Sequence, residues 1–91
     1  MKEIVKGTFR RNYLGLGKEI RTELDNKIIQ IEKAKDISQI SGMILLEGFS
    51  HHYRIKVDYK KKQYRIISLI RNHTIYLLYF IHRRTVYNKI S

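Results

Sequence analysis

From Lys18 onward the apolar positions recur every three or four residues: Ile20, Leu24, Ile28 and Ile31 stand at spacings of 4, 4 and 3. That is one stripe of an amphipathic helix, and it predicts a helix from Lys18 to about Lys35 or Asp36. Glu23 and Lys27 lie four apart on its wetter side, and Ile29 falls off the stripe, half exposed. Ser38, Ser41 and Gly42 read as loop. Upstream, Ile4, Val5 and Phe9 give Met1–Phe9 a strand-like pattern and predict an edge strand. Gly7 and Thr8 break it, with Thr8 as the N-cap of a short helix through Leu14. Gly15 and Gly17 end that helix, so the two helices form a hairpin.

Past residue 50 the period drops to two. Tyr53, Ile55 and Val57 share one face of a strand over His52–Asp58, and Arg54 and Lys56 share the other. Tyr59–Lys62 is a short basic connection of hairpin length, leading into an antiparallel strand over Gln63–Arg71 in which Arg65 is out of step with Tyr64 and Ile66. Asn72 and His73 form a second tight turn. Thr74–His82 is apolar on both faces, as a central strand is, and Arg83–Ile90 reads as a short closing helix. The order is β-α-α-β-β-β-α. It predicts one α+β domain over residues 1–91, with an N-terminal strand and helical hairpin packed on a mainly antiparallel four-stranded sheet.

Charge changes the picture. The last forty-one residues carry ten lysines and arginines and one acid, Asp58, leaving +9 of the net +11 in that stretch. Alternation puts Arg54, Lys56 and Arg65 on the sheet face away from the helices, where they meet a polyanion, nucleic acid first. The plainer reading is a solvated sheet face, but such a face usually mixes both signs. At 43% apolar and 11% aromatic the chain has enough material to fold. It lacks cysteine, which excludes thiolate metal sites and a cysteine nucleophile and fits a cytoplasmic setting. The longest apolar run, Ile75–Ile81, is too short to span a bilayer, so no membrane partner is expected. His51 and His52 lack further ligands nearby, so neither a metal nor another cofactor is expected.

Three segments carry a family resemblance: Leu46-Glu47-Gly48 leading into His52-Tyr53-Arg54-Ile55-Lys56-Val57, then Tyr64-Arg65-Ile66-Ile67, then His82-Arg83-Arg84-Thr85-Val86-Tyr87. In this order and spacing the chain resembles the RelE/ParE superfamily of toxins from type II toxin–antitoxin modules. The N-terminal half matches in pattern alone. The RelE branch implies a metal-independent endoribonuclease that cuts mRNA in the ribosomal A site by 2′-hydroxyl attack on the adjacent phosphate. By that resemblance Lys56 is the basic residue near the nucleophile, Arg65 clamps phosphate, and Arg83 stabilises charge near the leaving group. Tyr87 stacks on or orients the RNA. Arg54 stands where the best-known member has lysine; it clamps phosphate but is a poor proton acceptor. The general-base role is open among Lys56, His52 and His82. His52 lines the groove beside Arg54, and Arg84 adds a further contact. Lys60, Lys61 and Lys62 are an exposed hairpin tip that touches RNA backbone at most. Of the other tyrosines, most alternate with Ile and Leu and read as core or rim.

The resemblance also implies partners: an acidic, helical antitoxin, the ribosome and mRNA. The alternative functions are a ParE-like gyrase inhibitor and a non-catalytic nucleic-acid-binding module.

Overall fold

The structure, a computed structural model, describes residues 1–82. In chain order these form β1 (Lys2–Val5), α1 (Gly7–Leu14), α2 (Lys18–Lys33), a 3-10 turn (Ile37–Gln39), β2 (Met43–Leu45), β3 (His52–Tyr59), β4 (Lys62–Arg71) and β5 (Thr74–His82). The closing helix expected over 83–90 lies outside the described residues. Among the described residues no helix is long and apolar enough to cross a membrane.

Among the described residues the sheet has five strands, in the order β1-β5-β4-β3-β2. β1 is an edge strand, as its weak pattern suggests, and it runs parallel to β5; the other pairs are antiparallel. The fifth strand corrects the expected four: β2, on the opposite edge, falls where the sequence read as loop and lead-in. Three residues are too few to show a period of two. Ile44 and Leu45 are also more than half exposed, so no buried face marks them.

The helix starts and stops differ in detail. α1 begins at Gly7 with Lys6 as its capping residue, in extended conformation and without a side-chain cap. Thr8 is therefore not the N-cap; its Oγ1 accepts from Arg11 Nη2 at 3.0 Å. The Lys6 N–H donates to Leu77 O, extending the β1 ladder by one bond. α2 stops at Lys33, because Ala34 is extended, and Asp36 caps the following 3-10 turn through Ser38 N–H.

One side of the sheet holds the core. Ile55, Val57, Ile66, Ile75, Leu77 and Phe80 pack against Phe9 of α1 and Ile20, Leu24 and Ile31 of α2. Leu24 and Ile31 are fully buried, and each such side chain stabilises by about 1.5–3 kcal/mol. Phe80 meets Phe9 edge-on and stacks on Tyr64 at 5.2 Å.

A bulge in β5 explains why that strand is apolar on both faces. Ile67 pairs with Tyr79 and Ser68 with Leu77, so Leu78 has no partner on β4. The extra residue shifts the phase. Ile75 and Leu77 before it and Phe80 after it all reach the core, an odd spacing that strict alternation forbids. Past the end of β1, Asn12 Oδ1 of α1 accepts from Phe80 N–H at 3.1 Å. The β4–β5 connection is the two-residue turn Asn72-His73, both at positive φ, the pattern of a type I′ hairpin.

Candidate nucleic-acid interface

The face away from the helices is set by the alternation of β3. Ile55 and Val57 point into the core, so Arg54 and Lys56 point out. Register then fixes their neighbours. Lys56 stands opposite Arg65, which stands opposite Ile81. Arg54 lies between Ile44 of β2 and Ile67 of β4, and Ile67 faces Tyr79. Beneath the cations lies a small apolar cluster of Leu46 and Ile67 with Tyr79 and Ile81 against it. The expected grouping of Arg54, Lys56 and Arg65 on one face holds.

Two features of this face lie beyond the residues expected of it. The first is Gly42, at φ +76, whose carbonyl accepts from Lys56 N–H at 3.0 Å. A Cβ built there would lie 2.9 Å from Lys56 Cβ. Only glycine lets the chain turn into β2 this close to Lys56. The second is Asp58, which shares the outward face because it is two residues beyond Lys56. Its Oδ1 accepts from Arg65 Nη1 at 3.0 Å, and its Oδ2 lies 3.3 Å from Lys56 Nζ. The signal was there: period two puts the only acid of the basic segment among its cations.

Arg65 differs from its expected exposure. Its side chain is 5% exposed, against 55% for Lys56. β4 is the central strand, so Arg65 has neighbours on both sides, whereas β3 is covered on its outer side by only three residues of β2. Besides Asp58, Arg65 Nη1 donates to Tyr64 O at 2.8 Å, and its Nε has no partner.

The histidines divide. His52 is turned toward the preceding loop: Nδ1 lies 2.8 Å from the Ser50 carbonyl oxygen, and the ring meets Phe49 edge-on. His82 pairs with Tyr64 and meets its ring edge-on at 5.7 Å, on the same side as Phe80. The structure thus does not bring His82 to Lys56 and Arg65. His51 sits at positive φ and, with Arg71, Asn72 and His73, lines a cleft of about 490 Å³ at the far end of the sheet. Lys60, Lys61 and Lys62 are exposed at the β3–β4 hairpin, with Lys60 Nζ 5.3 Å from the centre of the Tyr59 ring. Arg83, Arg84 and Tyr87 lie outside the described residues. Among the described residues no three His, Cys, Asp or Glu side chains come together as a metal-binding group.

On the helical side, a hydrogen bond to the Asp25 carboxylate holds the Tyr13 phenol above its ordinary pKa. Lys27 Nζ donates to Gln30 Oε1 and to Ser41 O and Oγ, and burial lowers its pKa. That lysine ties α2 to the loop that carries Gly42.

A mixed sheet with a helical hairpin on one face is the architecture of the RelE-like fold, and this chain has that fold. Over 97% of its length it matches a chain of the RelB–RelE antitoxin–toxin complex from Methanococcus jannaschii, with a TM-score of 0.78, 19% identity and 99% of that chain covered. It matches the intact RelBE toxin–antitoxin complex of E. coli over 89% of its length and 94% of that chain, with a TM-score of 0.69 and 16% identity. A copper-bound mutant toxin from Helicobacter pylori is similar at a TM-score of 0.56 and 11% identity, over 94% of this chain and 98% of that one. In sequence alone, no family model and no curated protein matches.

Proposed function

We propose that this chain is the toxin of a type II toxin–antitoxin module and an endoribonuclease that cuts mRNA on the ribosome. The carrying observation is the acid-poor basic face, with Lys56 open to solvent and Arg54 half-buried beside it, in a RelE-like fold. Attack of a ribose 2′-hydroxyl on the adjacent phosphate leaves a 2′,3′-cyclic or 3′ phosphate and a 5′-hydroxyl. It needs cations where charge builds on the phosphate oxygens, and donors that stay fixed while it does.

In this reading Lys56 and Arg65 hold the scissile phosphate and Arg54 the neighbouring backbone. Arg83 meets the leaving group and Tyr87 orients a base. Of the three side chains considered for proton transfer, Lys56 stands on the basic face, His52 is engaged with Ser50, and His82 is turned toward Tyr64. That favours Lys56 as the group nearest the 2′-hydroxyl. The fitting partner is an acidic, helical antitoxin, whose charge complements the basic face and speeds association. The setting is the cytoplasm, where the ribosome is the second partner.

The test is induced expression in bacteria with mapping of RNA 5′ ends for wild type, Lys56→Ala and Arg83→Ala. Lys56, exposed, is the better probe than Arg65, whose side chain is buried in the sheet and whose removal would also leave a cavity there. Cleavage within codons is expected for wild type. Loss of one phosphate-holding cation is expected to slow it about 100- to 1,000-fold. Growth arrest with uncut mRNA would move the target to gyrase. No arrest and no cut would leave a binding module.

A further inference from the structure

We propose that Asp58 is an internal counter-anion that occupies the phosphate position between Lys56 and Arg65, and that RNA binds by displacing it. The inference rests on reading this face as the RNA site.

Its two carboxylate oxygens are divided between the two cations. Oδ1 is 3.0 Å from Arg65 Nη1 and Oδ2 is 3.3 Å from Lys56 Nζ. Two non-bridging phosphate oxygens would be held the same way, since a guanidinium and an ammonium recognise both anions through the same charge-assisted bonds.

Burial sets the order of events. Arg65 is closed off at 5% exposure, while Asp58 at 31% and Lys56 at 55% are open. An incoming phosphate therefore meets Lys56 first. Nη1 of Arg65, already shared between Asp58 and Tyr64 O, becomes available only when the carboxylate leaves. Asp58 is one residue from the end of β3, next to the hairpin tip, so its side chain has solvent to swing into. No covalent bond is made or broken in the exchange: one anion replaces another on the same two cations.

This arrangement does two things. In the free protein it supplies the partner that a buried guanidinium requires. It also weakens the hold on any single phosphate, because each must first displace an attached carboxylate. RNA held at several other points on the face drives the exchange; RNA touching at one point does not. Asp58 is thus a positioning residue that acts through Arg65 and Lys56 and raises the threshold for RNA binding.

The test is binding of a short fluorescein-labelled oligoribonucleotide with 2′-O-methyl groups, which block 2′-hydroxyl attack, to wild type, Asp58→Asn and Asp58→Glu across a salt series. Asn keeps the shape and still accepts from Arg65, so the variant is expected to melt cooperatively. Asp58→Asn is expected to bind about three- to tenfold tighter. Its plot of log affinity against log salt should be steeper by about 0.7, the increment for one more phosphate neutralised on a single strand. Asp58→Glu, which restores the charge, should return both values to those of wild type. A merely structural role would leave the salt slope unmoved.

Wild-type binding with an unchanged or weaker Asp58→Asn overturns the inference alone, as does an Asp58→Glu as tight as the Asn variant. No binding by wild type overturns the RNA reading and the inference with it. Should Asp58→Asn not fold, the carboxyl carbon signal of Asp58 in wild type decides by NMR. It should move on RNA addition together with the Arg65 side-chain signals, and an unmoved Asp58 while the Lys56 signals shift overturns the proposal.

Discussion

Gly42 and Gly48 both adopt positive φ, at +76° and +80°, but only Gly42 is crowded by the site. An alanine at Gly48 would meet nothing within 4 Å, whereas at Gly42 it would press on Lys56 Cβ. Both substitutions force a side chain into left-handed backbone, which costs about 1–3 kcal/mol. In a domain of this size each kcal/mol lowers Tm by about 4–8 °C. We predict that Gly42→Ala and Gly48→Ala both lower Tm, but that only Gly42→Ala also weakens RNA binding, because it pushes Lys56 out of line. Thermal melts and the oligonucleotide assay on both variants check this; equal losses of binding would show that Gly42 shapes the loop and not the site. At this scale the sequence was half legible. Alternation alone puts Arg54, Lys56 and Arg65 together, since it depends only on strand geometry. The burial of Arg65 and its bond to Asp58 depend on which strand is central and on the β3–β4 register, and neither is written in a local pattern.

Among the elements, β1 holds the edge of the sheet under an electrostatic handicap. Glu3 sits beside the end of α2, with Oε2 buried and unpartnered. Burial first, and then the charge of Glu32, push its carboxyl up to about 7 from 4.5. The folded state therefore binds this proton more tightly than the unfolded chain does. Stability from this group is full below about pH 4.5 and falls as pH rises toward 7, opposite to a salt-bridged carboxylate. For a fully buried group the displacement would correspond to about 3 kcal/mol. This one is only partly buried, and solvent screening leaves about 1 kcal/mol. We predict that Glu3→Gln raises Tm by several degrees at pH 8 and leaves it unchanged at pH 4. Thermal melts at the two pH values measure it, and an equal effect at both would mean that Glu3 acts by packing. The same scale shows what periodicity reveals. The long stripe of α2 and the two-residue period of β3 were legible because each repeats several times. β2 is too short to repeat, and the β5 bulge hides in a run that is apolar at every position.

For the whole molecule, the sheet is a partition: apolar side chains and helices on one side, most of the +9 of the C-terminal stretch on the other or at its hairpin tip. Binding to RNA by such a surface falls with salt in proportion to the phosphates it neutralises. If Arg54 and Lys56 alone touch phosphate, the slope of log affinity against log salt is about −1.4. If Lys60, Lys61 and Lys62 join them, it is about −3.5, at about 0.7 per phosphate on a single strand. The three lysines are exposed at the turn just past the end of β3, so a strand laid over Lys56 continues onto them. We predict the steeper slope for wild type. Replacing the three by serine should flatten it by about 2 while leaving the cleavage position in mRNA unchanged, because phosphate contacts carry no sequence information. A triple variant with the wild-type slope would confine the RNA footprint to the sheet face. A shifted cleavage position would mean that the hairpin tip sets where the message is held, not only how tightly.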